Sequence, residues 1–216
     1  MAVLTPRNSG HVIAVPLAGH ACGRLVVNGE STRLTVRGDA PADHLALIRF
    51  SGSPAQVESV GDEVSIGFGH GGLFGLRAWL TGEHTEVVLA RTVPWVIELR
   101  DGVTRLDADL RDLRLRNLAV RGGVSDAELH LPRPHGTVPV MIEGGVTHLT
   151  VRIPMGTAAH LELDGVATDL TVDGEQLDAV VGGLTRETAG YADATDRYEI
   201  TVEGSAARLA IIAGLG

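Results

Sequence analysis

The chain repeats itself, and that repeat limits its fold more than any other feature. Val120–Leu129 (VRGGVSDAEL), Ile142–Val151 (IEGGVTHLTV) and Leu163–Val172 (LDGVATDLTV) share one pattern: an apolar residue, a charged one, one or two glycines, a small residue, then polar and apolar positions in alternation. Leu99–Ala108, Val27–Val36 and Val202–Ile211 fit the same pattern; Leu80–Leu89 is a weaker copy, Val57–Ile66 weaker still, and Val180–Glu187 a degenerate one. Starts at 80, 99, 120, 142 and 163 lie 19, 21, 22 and 21 residues apart, and the 39 residues from 163 to 202 are nearly two periods. A unit this short cannot bury its apolar face alone, so equivalent faces must stack on one another.

The alternation within each unit identifies the elements as strands. In the unit from 120, Ala127, Leu129 and Leu131 point one way and Glu128 and His130 the other; Leu149, Val151 and Ile153 repeat this against Thr150 and Arg152. Each unit follows a second apolar run: Trp95 to Leu99, Leu113 to Val120, Val138 to Ile142, Ala159 to Leu163, Tyr198 to Val202. Two strands per repeat, cornered by Gly-Gly on one side and by Pro/Gly segments such as 132–136 and 154–156 on the other, make one circuit of a coil. The expected fold is all-β: a single-stranded, right-handed parallel β-solenoid with about 21 residues per rung and eight to ten rungs. Residues 91–216 are its regular part. Residues 1–90, with irregular spacing, form the first rungs and cap of the same continuous domain. Short helical turns are expected at most over 176–181 and 191–197, since Gly182, Gly183 and Gly190 interrupt anything longer.

Composition then removes function classes. Aromatic residues make up 3% of the chain, its formal net charge is −9 and every basic residue other than histidine is Arg, which argues against nucleic acid as a partner. Cys22 is the only cysteine, so neither a disulfide framework nor a cysteine-based zinc site can form within the chain. The N-terminus lacks a sustained apolar h-region and no stretch approaches a membrane span, so a cytoplasmic protein without membrane insertion is expected, with peripheral envelope association as its variant.

Outward positions of successive rungs should form columns. One reads Asp109, His130, Arg152, Asp173; another Arg100, Arg121, Glu143, Asp164; a third is a hydroxyl row of Thr32, Thr85, Thr104, Ser125, Thr147 and Thr168. These are read as a solvated face with stacking pairs and a ladder bonded to turn backbone, not as an ice-binding surface. Asp107, Asp109 and His130 could approach one another as a metal site, but no His-x-His, His-Glu-x-x-His or calcium-loop spacing supports it; Asp107 and Asp109 also fit the paired carboxylates of glycoside cleavage, against which stands the scarcity of aromatic residues. The glycine-rich segment 67–75 lacks the Lys-Ser/Thr and the helix of a phosphate loop, and is read as a mobile loop or a cap, with Phe68, Leu73 and Phe74 folding back onto the coil's end. Trp79 and Trp95 fit apolar packing or the cap. Arg208–Gly216, the most apolar stretch, is read as a buried final strand, with self-association through the coil's end as the alternative. No catalytic, cofactor-binding or metal-ligating residue is assigned, and no cofactor is expected.

From about Trp95 to Ile212, the glycine corners at 120–125 and 142–151, the segment LPRPHGTVPV at 131–140 and DRYEI at 196–200 resemble the toastrack or "putative adhesin" β-solenoid domains of bacteria. They are also similar to the C-terminal domain of cell-wall-antibiotic-response proteins. The resemblance implies a rigid, non-enzymatic interaction or scaffold module tied to envelope stress, with an unknown protein partner. The runner-up is a structural protein that polymerises through its ends; a ligand-binding or glycan-active protein ranks last.

Overall fold

The computed structural model describes residues 2–4, 11–51, 55–68, 84–172 and 174–214. Its elements, in chain order, are β1 (Ala2–Leu4), β2 (His11–Pro16), β3 (Gly23–Asn28), β4 (Ser31–Arg37), β5 (His44–Ser51), β6 (Gln56–Val60), β7 (Glu63–Gly67), β8 (His84–Leu89), β9 (Pro94–Leu99) and β10 (Val103–Asp109). There follow β11 (Arg114–Arg121), β12 (Val124–His130), β13 (Thr137–Pro154), β14 (Ala158–Ala167), β15 (Leu170–Val172), β16 (Glu175–Leu177), β17 (Val180–Val181), β18 (Leu184–Glu187), a one-turn 3-10 helix (Tyr191–Asp193) and β19 (Arg197–Gly214).

The fold is all-β, and its strands form two facing stacks joined at corners. The first stack runs β7, β3, β9, β11, the first half of β13, the first half of β19 and β14, all parallel. The second runs β8, β4, β10, β12, the second half of β13, the second half of β19 and β15, again parallel. Taken together these are seven rungs among the described residues, fewer than expected. The purely parallel expectation is also corrected. The sheet is mixed, because antiparallel strands close both ends: β1, β6, β2 and β5 at one, β16, β17 and β18 at the other.

Equivalent positions do superpose, and in the register that the repeat assigns. Val27, Leu99, Val120, Ile142, Val202 and Leu163 form one inward column, and Leu34, Leu106, Ala127, Leu149, Leu209 and Leu170 another. All twelve side chains are buried in one continuous apolar cluster. Their spatial order, however, is not the chain order. β3–β4 lies between β7–β8 and β9–β10, and β19 lies between β13 and β14. Only 94–154 winds in sequence.

The corner glycines explain why this side of the coil tolerates nothing larger. Gly144 and Gly204 have φ of 112° and 122°, and a Cβ on either would sit 2.7 or 2.5 Å from the carbonyl oxygen of the glycine one rung away. At the same corner of the next rung toward the N-terminal end, Asp101 replaces glycine and its carboxylate accepts a hydrogen bond from the Gly29 N–H at 2.6 Å. Large side chains are matched to small neighbours in the same way. Trp95 is fully buried against Gly23, whose Cβ would fall 2.6 Å from the indole, and its N–H donates to the Ala90 carbonyl. Tyr198, also fully buried, lies between Val138 and Ala159 and donates to the Pro132 carbonyl at 2.7 Å.

Two local expectations fail, and only one of the two allowed helical turns forms. Val57–Ile66 and Val180–Glu187 are not rungs: the first is the antiparallel β6–β7 hairpin and the second splits into β17 and β18, antiparallel to β14. Residues 176–181 form strand and turn rather than a helical turn, whereas 191–193 is helical as read. β8 pairs with β4 two residues out of the repeat's register, which puts Val87 opposite Val36 and Thr85 opposite Leu34.

Candidate interaction face

The outward side of the second stack carries the predicted columns. Asp109, His130 and Arg152 follow one another on adjacent rungs, but Ile212 of β19 lies beyond Arg152, and Asp173 is outside the described residues. The next column reads Thr35, Asp107, Glu128, Thr150, Ala210, and the third Arg33, Arg105, Asp126, His148, Arg208. Side chains pair across rungs: Arg152 to Glu128 at 2.9 Å, His148 to Asp126 at 3.1 Å, Arg208 to Asp169 at 3.3 Å. Each such exposed pair is worth at most about 1 kcal/mol, so their effect is to hold side-chain positions rather than to stabilise the coil.

These contacts bear on two of the carboxylates, Asp109 and Glu128. Arg111 forks onto Asp109 at 2.8 and 2.7 Å and holds its carboxyl below the usual range; Arg152, then His130, does the same for Glu128. Glycoside cleavage by acid and base needs one carboxyl raised so that it carries a proton at neutral pH, and neither of these two has that environment. Asp107, Asp109 and His130 do share this face, with Asp109 in register with His130. Among the described residues no group of three or more His, Cys, Asp or Glu has the geometry of a metal site. The hydroxyl row is interrupted: Thr85 leaves it with β8's shift and is buried, and Ala207 occupies the β19 position. Within it Thr168 donates to the Ala207 carbonyl at 2.6 Å.

On the first stack, Arg121 faces Glu143 at 3.5 Å, but Arg100 turns back onto Glu98 and Glu203 of β19 intervenes before Asp164. Glu143, Glu203 and Asp164 thus stand on three successive rungs. Glu203 was not singled out from the sequence, because nothing in a repeat says which copy lies next to which. Beside them the 3-10 helix lays Tyr191 against His160, ring centroids 5.3 Å apart, and under Arg197, 4.9 Å from the ring. Tyr191 also donates to Glu199, and His160 meets Glu187 at 3.1 Å. A cavity of about 160 Å³ opens between this segment and the coil, lined by Ile153, Gly156, Thr157, Val172, Thr188, Ala189, Ile211 and Ala213.

Of segment 67–75 only Gly67 and Phe68 are described. Phe68 is partly buried on the core and its N–H donates to the Asn28 carbonyl at 2.8 Å; residues 69–75, and Trp79, lie outside the described residues. The Cys22 thiol donates to Asp62 at 2.8 Å, which pushes its pKa up and makes it a poor nucleophile. Arg208–Gly214 is an interior strand, paired with β13 along its length and with β15 at 209–211. No described helix is long and apolar enough to cross a membrane.

Residues 57–152 match the family model described as the N-terminal domain of toast_rack, DUF2154. Over this span, a little under half of its length, the chain is similar to the toast-rack family. The match begins upstream of the segment that carried the resemblance in the sequence and overlaps it from 95 to 152. No curated protein matches the chain. Among solved structures, a "putative cell adhesion protein" from Clostridium sporogenes ATCC 15579 is similar, with a TM-score of 0.66 and 18% identity over 96% of this chain and 99% of that one. At this identity the likeness is one of fold.

Proposed function

We propose that this chain is a non-enzymatic interaction or scaffold module that presents the outward side of its second stack, residues 103–109, 124–130 and 146–154, to a protein partner. The observation that carries this reading is the array of polar and charged side chains on that face, joined across rungs by contacts such as Arg152 to Glu128 and His148 to Asp126, above a continuous apolar core. A rigid, ordered array of charge loses little conformational entropy when a complementary surface docks on it. The name of the Clostridium neighbour, and the toast-rack match, support an adhesive or assembling role over a catalytic one. Right-handed winding at about 21 residues per circuit, the continuity of 1–90 with 91–216 as one domain, and service in the envelope stress response belong to the same proposal.

The test is capture from native-host extract with the immobilised chain. One partner should be retained by wild type, lost when Asp107→Arg and Asp126→Arg invert the face, and kept by a control that inverts Glu162 on the other stack. A panel of divalent metals and oligosaccharides should leave the melting temperature unmoved. A saturable rise in melting temperature with one of them, or retention of the partner by the inverted face, overturns the reading.

A further inference from the structure

β13 and β14 are joined by only three residues, 155–157, yet they do not pair: β19, from much later in the chain, lies between the first half of β13 and the whole of β14. Their sequences are nonetheless cut to fit each other. Ile142 and Leu163 are 21 residues apart, the spacing that separates Leu99 from Val120 on rungs that do stack directly. Both face Val202, so with β19 removed, Ile142 meets Leu163 and Val140 meets Leu161 in the same inward columns, and Gly144 meets Gly165 at the corner. The two walls of the slot are therefore matched in register both to the strand that fills it and to each other.

What holds β19 in place lies outside the repeat. The Gly136 N–H donates to Asp196 at 2.6 Å, the Arg197 N–H to the Gly136 carbonyl at 3.0 Å and the Tyr198 hydroxyl to the Pro132 carbonyl. These contacts cluster where β19 begins, next to Gly190 in the left-handed region at φ 79°. Every one of them, and every ladder bond, is recovered if the β19 that fills the slot belongs to another molecule.

We infer that the slot between β13 and β14 is a strand-exchange site whose partner is the 197–214 strand of a second copy of this chain. This goes beyond the face-docking role and does not depend on it. The exchange conserves all native pairings, so its equilibrium depends on concentration and its rate on the opening of β19. Because the departing strand must break two ladders, exchange is slow at ambient temperature and speeds up close to the unfolding midpoint.

The experiment uses the full chain with Cys22→Ser. The protein is held at high concentration just below its melting temperature, cooled and resolved by size-exclusion chromatography with light scattering. The expected result is a dimer that persists on dilution in the cold and is suppressed by excess synthetic peptide of sequence 197–214, fluorescently labelled, which co-elutes with the monomer. Thr150→Cys with Ala210→Cys, facing residues of β13 and β19, locks the strand in its own chain once oxidised. This variant should lose both dimer and peptide uptake and regain them on reduction. Glu162→Cys with Thr201→Cys, across β14 and β19, is an independent lock should the first impair folding. A dimer or peptide uptake undiminished by either oxidised lock, or neither dimer nor uptake in the unlocked chain, overturns the inference.

Discussion

Residues 94–154 and the rungs that flank them use the same repeat but obey different rules of order. In the first region chain order and spatial order agree. At the flanks they do not: β3–β4 enters between β7–β8 and β9–β10, and β19 enters between β13 and β14. The difference teaches that a repeat determines what a strand can lie against, not which copy it meets. All six strong copies put an apolar residue in each inward column, so on pattern alone any could neighbour any other. Order is then imposed by contacts that only one copy can make. For β19 these are the bonds of Asp196, Arg197 and Tyr198 to 132–136; for β3 it is Gly23, where a Cβ would fall 2.6 Å from the Trp95 indole.

The largest effect that can break this comparison lies at the corners. A Cβ at Gly165 would lie 1.8 Å from the Gly204 carbonyl oxygen, where the exchanged rung meets β14, against 2.7 Å for Gly144 on Gly122 in the ordered region. Both sit at positive φ. Gly165→Ala should lose at least about 3 kcal/mol in urea unfolding, and Gly144→Ala less. Gly123→Ala, with ordinary φ and its nearest contact at 3.7 Å, should be close to neutral. A larger loss at 144 than at 165 would mean that the exchanged junction is not the tighter one.

Next comes the anchor that fixes order. Tyr198→Ala should cost about 3–5 kcal/mol by opening a cavity beneath Ala159 and Val138. Tyr198→Phe, which strands only the buried Pro132 carbonyl, should cost about 1–2 kcal/mol. If Tyr198→Phe leaves the urea midpoint unchanged, the hydroxyl does not specify where β19 goes. Hydrogen exchange sharpens the same point: amides of β19 should open before those of β11 in wild type, and earlier still in Tyr198→Phe.

How much of this was legible follows from the kind of signal involved. The register of six copies, the inward columns and the glycine corners were all written in side-chain type and spacing, which is local information; of the expected charge pairs among the described residues only Arg121–Glu143 forms, because side chains such as Arg152 reach diagonally to Glu128. The exchange of β3–β4 and β19 was not, because order depends on single long-range contacts such as Tyr198 to Pro132, between residues that look like ordinary core and turn. β8 illustrates the limit in one strand. Its alternation gives the correct inward face, yet a two-residue slip preserves that face, and only the burial of Thr85 opposite Leu34 distinguishes the two registers. Of the candidate site, the columns around Asp107, Asp109 and His130 were readable; Glu203 and Ile212 were not, since they arrive with the exchanged rung.

A smaller effect probes the N-terminal flank through charge. Glu86 of β8 is held between Arg37 of β4 and Arg49 of β5, at 2.6 and 2.7 Å, and its carboxyl lies below its ordinary value of 4.5, chiefly through the hydrogen bond from Arg49. A carboxyl with a depressed folded-state pKa contributes stability above its unfolded value and loses it as pH falls through the lower, folded one. The melting temperature should therefore decline below pH 4.5 in wild type and decline less in Glu86→Gln, which near neutral pH is less stable by about 1 kcal/mol. Parallel curves for the two proteins across that window would remove the pair as a fastener of β8.

The smallest effect has the opposite sign and follows from the exchange itself. Stacked in chain order, the outward column would read Arg121, Glu143, Asp164, with one like-charge step; the intercalated rung makes it Arg121, Glu143, Glu203, Asp164, with two. Adjacent carboxylates on neighbouring strands repel, by a few tenths of a kcal/mol at an exposed site. Glu203→Arg replaces both repulsions with attractions and should raise stability by about 0.5–1 kcal/mol at low ionic strength. The gain should largely vanish in 1 M salt, where the screening length is about 3 Å. Because Glu203 neighbours Glu143 and Asp164 only if β19 lies between β13 and β14, a salt-sensitive gain reports the exchanged order in solution, and a salt-independent change of either sign would not.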